Sequence, residues 1–236
     1  MLKKILTCLL TLSLLLSLAA CGEPKNVRGE VSENPTTEAT TEATTEATTE
    51  ATTEATTEPE FAIGTSAGGT YKNEFIGIQC TLDENWTFKT DAEIRAQNEV
   101  TMGMLGDQYK EALSEAAVVY DMMATHANQA DTIGVVMEKL SGVNLLISEE
   151  QYITASKDGA VGSLKSMGIT IDSAEVVKIQ FAGEEHYGLT IEGSYAGIPI
   201  YECMVVLKCS GYIVCVTACT WNSNTCMDIL NQFQAY

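Results

Sequence analysis

From Thr36 to Glu58 the chain repeats Thr-Thr-Glu at a period of four, with Ala39, Ala43, Ala47, Ala51 and Ala55 as spacers. A period of four invites a helix, but a helix would stack Glu38, Glu42, Glu46, Glu50, Glu54 and Glu58 along one stripe. Like charges at i,i+4 repel, and threonine is a poor helix former. No side chain in the tract is both apolar and larger than alanine, so it has nothing to bury and is expected to be disordered and extended. Whatever folds must therefore come from the ~170 residues that follow, enough for one domain with its own core.

The N-terminus says where that domain is delivered. Residues 1–20 have the three parts of a secretory signal: Lys3 and Lys4, an apolar run from Ile5 to Leu18, and small residues before a cysteine. The run is too short for a membrane span, which needs ~20 apolar residues. Leu18-Ala19-Ala20-Cys21 resembles the bacterial lipobox, whose cysteine receives a diacylglyceryl group and becomes the mature N-terminus; ordinary signal cleavage without lipid is the alternative. Cys21 is accordingly expected to anchor the chain to the outer face of the cell membrane, since two acyl chains suffice for stable attachment. Residues 21–69 then form the lipidated cysteine and a Thr/Glu-rich stalk, and 70–236 the globular domain. For about 45 residues, coil statistics give a reach near 40 Å, and full extension exceeds ~100 Å. That length holds the domain off the membrane, within or beyond a thick cell wall.

Charge narrows the partners. The chain has a formal charge of −19, and residues 61–236 carry 22 acidic against 9 basic side chains. Nucleic acid and anionic lipid heads are disfavoured on both mature parts. Basic peptides, cations or a cationic protein face are favoured, or the acidity only maintains solubility.

Within the domain, periodicity and turn residues give an element order. Thr70–Asn73 and Phe75–Leu82 read as a strand pair or one bent strand, and Trp86–Phe88 resumes extended structure after the Asp83-Glu84-Asn85 turn. Asp91 is a candidate N-cap for a helix from Ala92, and a second helical stretch runs from Asp107 to Ala117. Val118–His126 and Thr132–Leu140 favour strand around an Ala127–Asp131 turn. Ser148 opens a helix with Glu149, Glu150 and Gln151 in its first turn, Ile153, Val161 and Leu164 as its stripe, and Gly168 at its end. Ala174–Phe181, His186–Tyr195, Ile198–Cys209 and Tyr212–Trp221 form a run of strands, turned at Gly183-Glu184-Glu185, Ala196-Gly197 and Ser210-Gly211. Asn222–Asn224 offers an N-cap, and Cys226–Phe233 closes the chain as a helix. Antiparallel strands with segregated helices make an α+β layered domain.

Tyr71-Lys72-Asn73-Glu74-Phe75-Ile76-Gly77-Ile78, followed by Asn85-Trp86, resembles the opening of the PsbP-like lipoproteins of Firmicutes. The closing pattern Ile200-Tyr201, Val205-Val206, Gly211-Tyr212-Ile213 and Ile229 to Phe233 is similar too, so the resemblance spans nearly all of 70–236. It implies a central antiparallel sheet flanked by helices on both faces. The resemblance also implies kinship in fold with a photosystem accessory protein and a Ran-binding import factor, both non-enzymatic interaction modules. None of their binding residues matches a position here.

Candidate chemistry is sparse. Gly64-Thr65-Ser66-Ala67-Gly68 fits the G-x-S-x-G pattern, but that motif needs a strand before it and a helix after it. Here it follows the stalk and reads as a flexible hinge. Cys80, Cys203, Cys209, Cys215, Cys219 and Cys226 remain once Cys8 leaves with the signal and Cys21 takes lipid. An even count outside the cytoplasm raises disulfides. With Ser210-Gly211 as a two-residue turn, however, Cys203 faces Ala218 and Cys209 faces Tyr212. None of the four strand cysteines then pairs, although a one-residue slip would set Cys203 opposite Cys219. Mostly free, buried thiols are expected. Glu184, Glu185 and His186 are consecutive near a turn and are expected to face water rather than bind a metal. Glu149 and Glu150 suit the positive end of a helix dipole. Asp121 and His126 are placed on opposite faces of one strand. No phosphate loop, dinucleotide fingerprint or EF-hand is present.

The sequence therefore points to a non-catalytic binding module of the cell envelope, without cofactor or metal, held to the membrane through Cys21 and facing an envelope protein or cell-wall component. The rival is an extracytoplasmic receptor for a small ligand or cation, serving a transporter. An acidic pocket with aromatic walls would favour that rival.

Overall fold

The computed structural model describes residues 61–102 and 118–236, all within one compact unit. The signal segment, Cys21, the repeat tract and the helix expected over 107–117 lie outside the described residues.

The domain is α+β and built on two antiparallel sheets. Strands β1 (Thr65–Ala67), β2 (Thr70–Asn73), β3 (Ile78–Thr81), β4 (Trp86–Phe88), β5 (Val118–His126) and β6 (Thr132–Lys139) come first. Strands β7 (Thr170–Phe181), β8 (Glu184–Tyr195), β9 (Ile198–Cys209), β10 (Tyr212–Trp221) and β11 (Phe233–Ala235) follow. The helices are α1 (Asp91–Met102), α2 (Glu149–Ser166) and the short α3 (Cys226–Leu230), with a 3₁₀ segment over Gly142–Leu146. The large sheet runs β4-β5-β6-β10-β9-β8-β7, and the small one β1-β2-β3-β11.

Three hairpins build the right half of the large sheet. Each turns on two residues with positive φ: Ala182-Gly183, Ala196-Gly197 and Ser210-Gly211. Two such residues in succession match the right-handed twist of the flanking strands. The first turn therefore precedes the Gly183-Glu184-Glu185 expected from sequence, and Glu184 and Glu185 already belong to β8. The last turn fixes the expected register, with Cys203 opposite Ala218 and Cys209 opposite Tyr212.

The large sheet is covered on both faces. Alternation on β10 sends Tyr212, Val214, Val216 and Ala218 to one side, where they cluster with Tyr71, Ile78 and Cys80 of the small sheet and Ile229 and Leu230 of α3. Ile213 and Cys215 go to the other, against Tyr152, Ile153, Ala160 and Leu164 of α2. Ile94 of α1 extends that helical layer over Tyr120 and Met123. Helices thus lie on both faces as expected, but most of one face is taken by a second sheet that the sequence reading did not separate.

Several boundaries move for identifiable reasons. Thr90, not Asp91, caps α1: its hydroxyl accepts from the Glu93 N–H at 3.3 Å, and the Glu93 carboxylate accepts from the Thr90 N–H at 2.8 Å. Ser148 and Gln151 form the expected reciprocal cap on α2. Its buried stripe takes Ser156 and Ala160 rather than Val161. Strand β7 starts at Thr170, ahead of the expected Ala174, because a bulge at Asp172 lets the chain rejoin β8. The closing helix, expected to Phe233, stops at Leu230. Phe233 instead pairs with Cys80 in β11 and packs on Phe181 with ring centroids 5.2 Å apart. At the front, Phe61–Gly69, assigned from sequence to the stalk, pack as part of the domain. Phe61 stacks on Tyr212 at 4.8 Å, and β1 pairs with β2.

Candidate functional site

Strands β8 and β9 form a hairpin closed at Ala196-Gly197 and open at its other end. Their pairing stops at Tyr187 opposite Val206. Beyond that point β8 stays with β7 down to Glu184, and β9 stays with β10 down to Cys209. Each arm is held by a different hairpin, so the large sheet forks between Glu184–His186 and Leu207–Cys209.

Glu149, the first residue of α2, sits in the fork. Its carboxylate accepts from the Lys208 N–H at 3.1 Å and the Tyr187 N–H at 3.4 Å. It thereby takes the place of a cross-strand carbonyl for a main-chain donor that the ladder has abandoned. His186 Nδ1 lies 3.1 Å and 3.2 Å from the same two oxygens. Burial alone would raise the Glu149 carboxyl, but the hydrogen bond and charge of His186, with the two N–H groups, outweigh it and hold it below the usual range. The hydrogen bond to Glu149 raises the His186 ring against its own burial. Both directions describe an ion pair, with side chains only 13% and 20% exposed.

On the small-sheet side the fork opens into a cleft of about 240 Å³. Ile76, Phe181 and Leu207 supply apolar walls, and Glu184, His186 and Cys209 supply the polar groups. The Cys209 thiol donates to the Phe75 carbonyl at 3.3 Å. Burial pushes it up, and Ser210 offsets that only in part. This is opposite to the shift that makes a thiol nucleophilic.

A second polar centre lies between the sheets. Asp121 is fully buried and accepts from Tyr71 Oη, from Asn73 Nδ2 at 2.7 Å and from the Gly64 N–H. Desolvation raises its carboxyl, and those three donors work in the other direction. A bulge at Asp121 makes this possible by breaking the alternation of β5. That bulge also removes the parity argument that set Asp121 and His126 on opposite faces. Distance separates them instead, five residues along a strand being ~16 Å, and His126 packs against Trp86.

The other sequence candidates are dispersed. Ser66 is in β1, which turns into β2, so it has a strand after it where a nucleophile elbow needs a helix; the expected hinge is a paired strand. Glu185 pairs with Lys178 at 2.6 Å. Among the described residues no three His, Cys, Asp or Glu side chains are grouped to hold a metal ion. Among the described residues the six cysteines are thiols, none of them in a disulfide; burial pushes Cys80 and Cys203 to about 12 and Cys226 to about 11. Among the described residues no helix is long and apolar enough to cross a membrane. The joining of Glu149 to His186 was missed, because 37 residues separate them and only the fork brings them together.

No protein-family model matches the chain, and no curated protein matches it. Among solved structures, the chain is similar to LpqN, which is involved in cell envelope biogenesis of Mycobacterium tuberculosis, at 14% identity and a TM-score of 0.38, over 66% of this chain and 82% of that one. It is also similar to the cyanobacterial PsbP (CyanoP) of Synechocystis sp. PCC 6803, at 12% identity and a TM-score of 0.41, over 72% of this chain and 98% of that one. At such identities the likeness concerns the fold alone.

Proposed function

We propose that this chain is a lipid-anchored, non-catalytic binding module of the bacterial cell envelope, and that the cleft at the β8–β9 fork is its binding surface. The observation that carries this reading is the fork itself. Two strands are held apart by an ion-paired carboxylate rather than zipped, at a place where apolar walls and polar groups converge on a cavity. The signal, Cys21 and the stalk add the placement: a tethered domain, displayed outside the membrane, that meets an envelope protein or cell-wall component. The cleft is smaller than the ~300–1,000 Å³ usual for small-molecule sites, which counts against the receptor alternative.

The test is crosslinking and co-purification of the full lipoprotein from its own cells, with the anchor and stalk alone as control. A stoichiometric partner recovered with the wild type and lost on Ile76→Arg, which fills the cleft, is the expected result. A turnover activity abolished by Ile76→Arg, or a partner indifferent to that change, would overturn the reading.

A further inference from the structure

Most of the charged side chains around the fork have a hydrogen-bonding partner. Glu149 and His186 neutralise each other. Lys208 lines the cleft, yet its ammonium donates to the Leu145 carbonyl at 2.7 Å, in the segment that leads into α2. Glu185 is paired with Lys178 at 2.6 Å. Glu184 is different: it is exposed at the cleft rim and makes no hydrogen bond or ion pair among the described residues. Its charge reaches the His186 ring, but that ring is already ion-paired with Glu149, so the cleft presents a carboxylate in excess above the apolar side chains of Ile76, Phe181 and Leu207.

That arrangement complements a side chain with an apolar stem and a cationic head. The methylenes cover the walls while the charge stays at the wet rim, the division of labour long basic side chains adopt at surfaces. A domain with 22 acidic and 9 basic side chains also draws cationic segments toward it before contact. A cavity of about 240 Å³ has room for one such side chain, not for a folded surface.

We infer that the cleft takes a single lysine or arginine side chain from an extended segment of a partner protein, with Glu184 as its counter-ion. The inference rests on the binding-module reading and gives its site a chemistry.

The chain has only two histidines, so the ring resonances of His186 and His126 can be followed by NMR in the detergent-solubilised full chain. The probes are blocked pentapeptides, Gly-Gly-Lys-Gly-Gly and its acetyl-lysine and norleucine analogues, with n-butylamine as the small-amine comparison. The lysine peptide is expected to shift His186 saturably and leave His126 still. Acetyl-lysine, norleucine and the variant Glu184→Gln are each expected to weaken binding about five-fold, the upper range for one rim charge. Equal binding of the lysine and norleucine peptides, or wild-type affinity in Glu184→Gln, would overturn the inference. So would n-butylamine binding as tightly as the peptide, which would mark a small-amine site. A crosslinked partner that depends on Ile76 but not on Glu184 would sink this inference alone and leave the binding module standing.

Discussion

At the scale of single residues, Glu149 and His186 turn a gap between strands into a defined feature. Their shifts set a pH window. The Glu149 carboxyl lies below its ordinary 4.5, so its contribution to stability is present above that value and is lost as pH falls through the lowered one. The His186 ring lies above its ordinary 6.5, so its contribution is complete below 6.5 and is lost as pH rises through the raised value. The pair should therefore stabilise the fork most between about pH 4.5 and 6.5. We expect His186→Ala to cost ~1–2 kcal/mol in that window and progressively less above neutrality. Urea denaturation of wild type and variant from pH 5 to 9 checks this; a difference that stays constant with pH would remove the ion pair from the account. His186 was in view from the start as one of two histidines near a run of glutamates. Its partner was not, since Glu149 looked fully explained as a first-turn residue of a helix. The signal available was only that two acidic residues share that turn when one would serve the dipole.

At the scale of elements, what could be read locally was read well. The β9–β10 register followed from one Ser-Gly turn, and β5 and β6 from two strand-favouring runs around a five-residue connection. What could not be read depends on partners far along the chain. The second sheet forms only when Phe233 returns to Cys80 across more than half the domain, and no local pattern distinguishes Asn231-Gln232-Phe233 from one more helical turn. The glycines of β8 carry similar non-local information. A Cβ at Gly188 would collide with the Met204 carbonyl oxygen on β9 and with Ile179 Cδ1 on β7, whereas one at Gly197 meets nothing within 4 Å and suffers only from its φ of +83°. Gly188→Ala should thus cost ~2–3 kcal/mol by forcing β7, β8 and β9 apart, against ~1 kcal/mol for Gly197→Ala. Because the Gly188 collision lies next to the fork, it should also expose the Tyr187 and Lys208 amides to hydrogen exchange, which the Gly197 change should not. Equal costs, or unchanged exchange in Gly188→Ala, would mean that the strands do not approach so closely there.

At the scale of the whole molecule, where the domain begins decides how it is hung from its tether. Thr70 is the start that sequence composition suggests, because residues 60–69 are small or polar apart from Phe61 and Ile63. Those two are among the residues packed on the core. Phe61 lies edge-on to Phe75 at 5.3 Å as well as stacked on Tyr212, and the Gly64 N–H completes the shell of Asp121. The chain thus enters the domain beside Phe75, whose carbonyl takes the Cys209 thiol at the cleft. Phe61 and the proposed binding surface share one end of the fold. A chain started at Pro59 keeps all of these contacts. One started at Thr70 loses the two ring contacts of Phe61, worth together ~1–2 kcal/mol, and a donor to a buried carboxylate, worth ~1.5–3 kcal/mol. At ~2–4 °C per kcal/mol for a domain of this size, the shorter chain should melt roughly 5–15 °C below the longer one. Its deficit should grow as pH rises and Asp121 ionises, because a carboxylate raised by burial needs its donors most when it is charged. Calorimetric melts of the two chains from pH 4 to 8 decide the matter. If they superimpose, residues 61–69 add nothing to the stability of the fold, and Thr70 is where the domain begins. If they separate as argued, residues 61–69 belong to the fold, and the shell of Asp121 is complete only in a chain that includes Gly64.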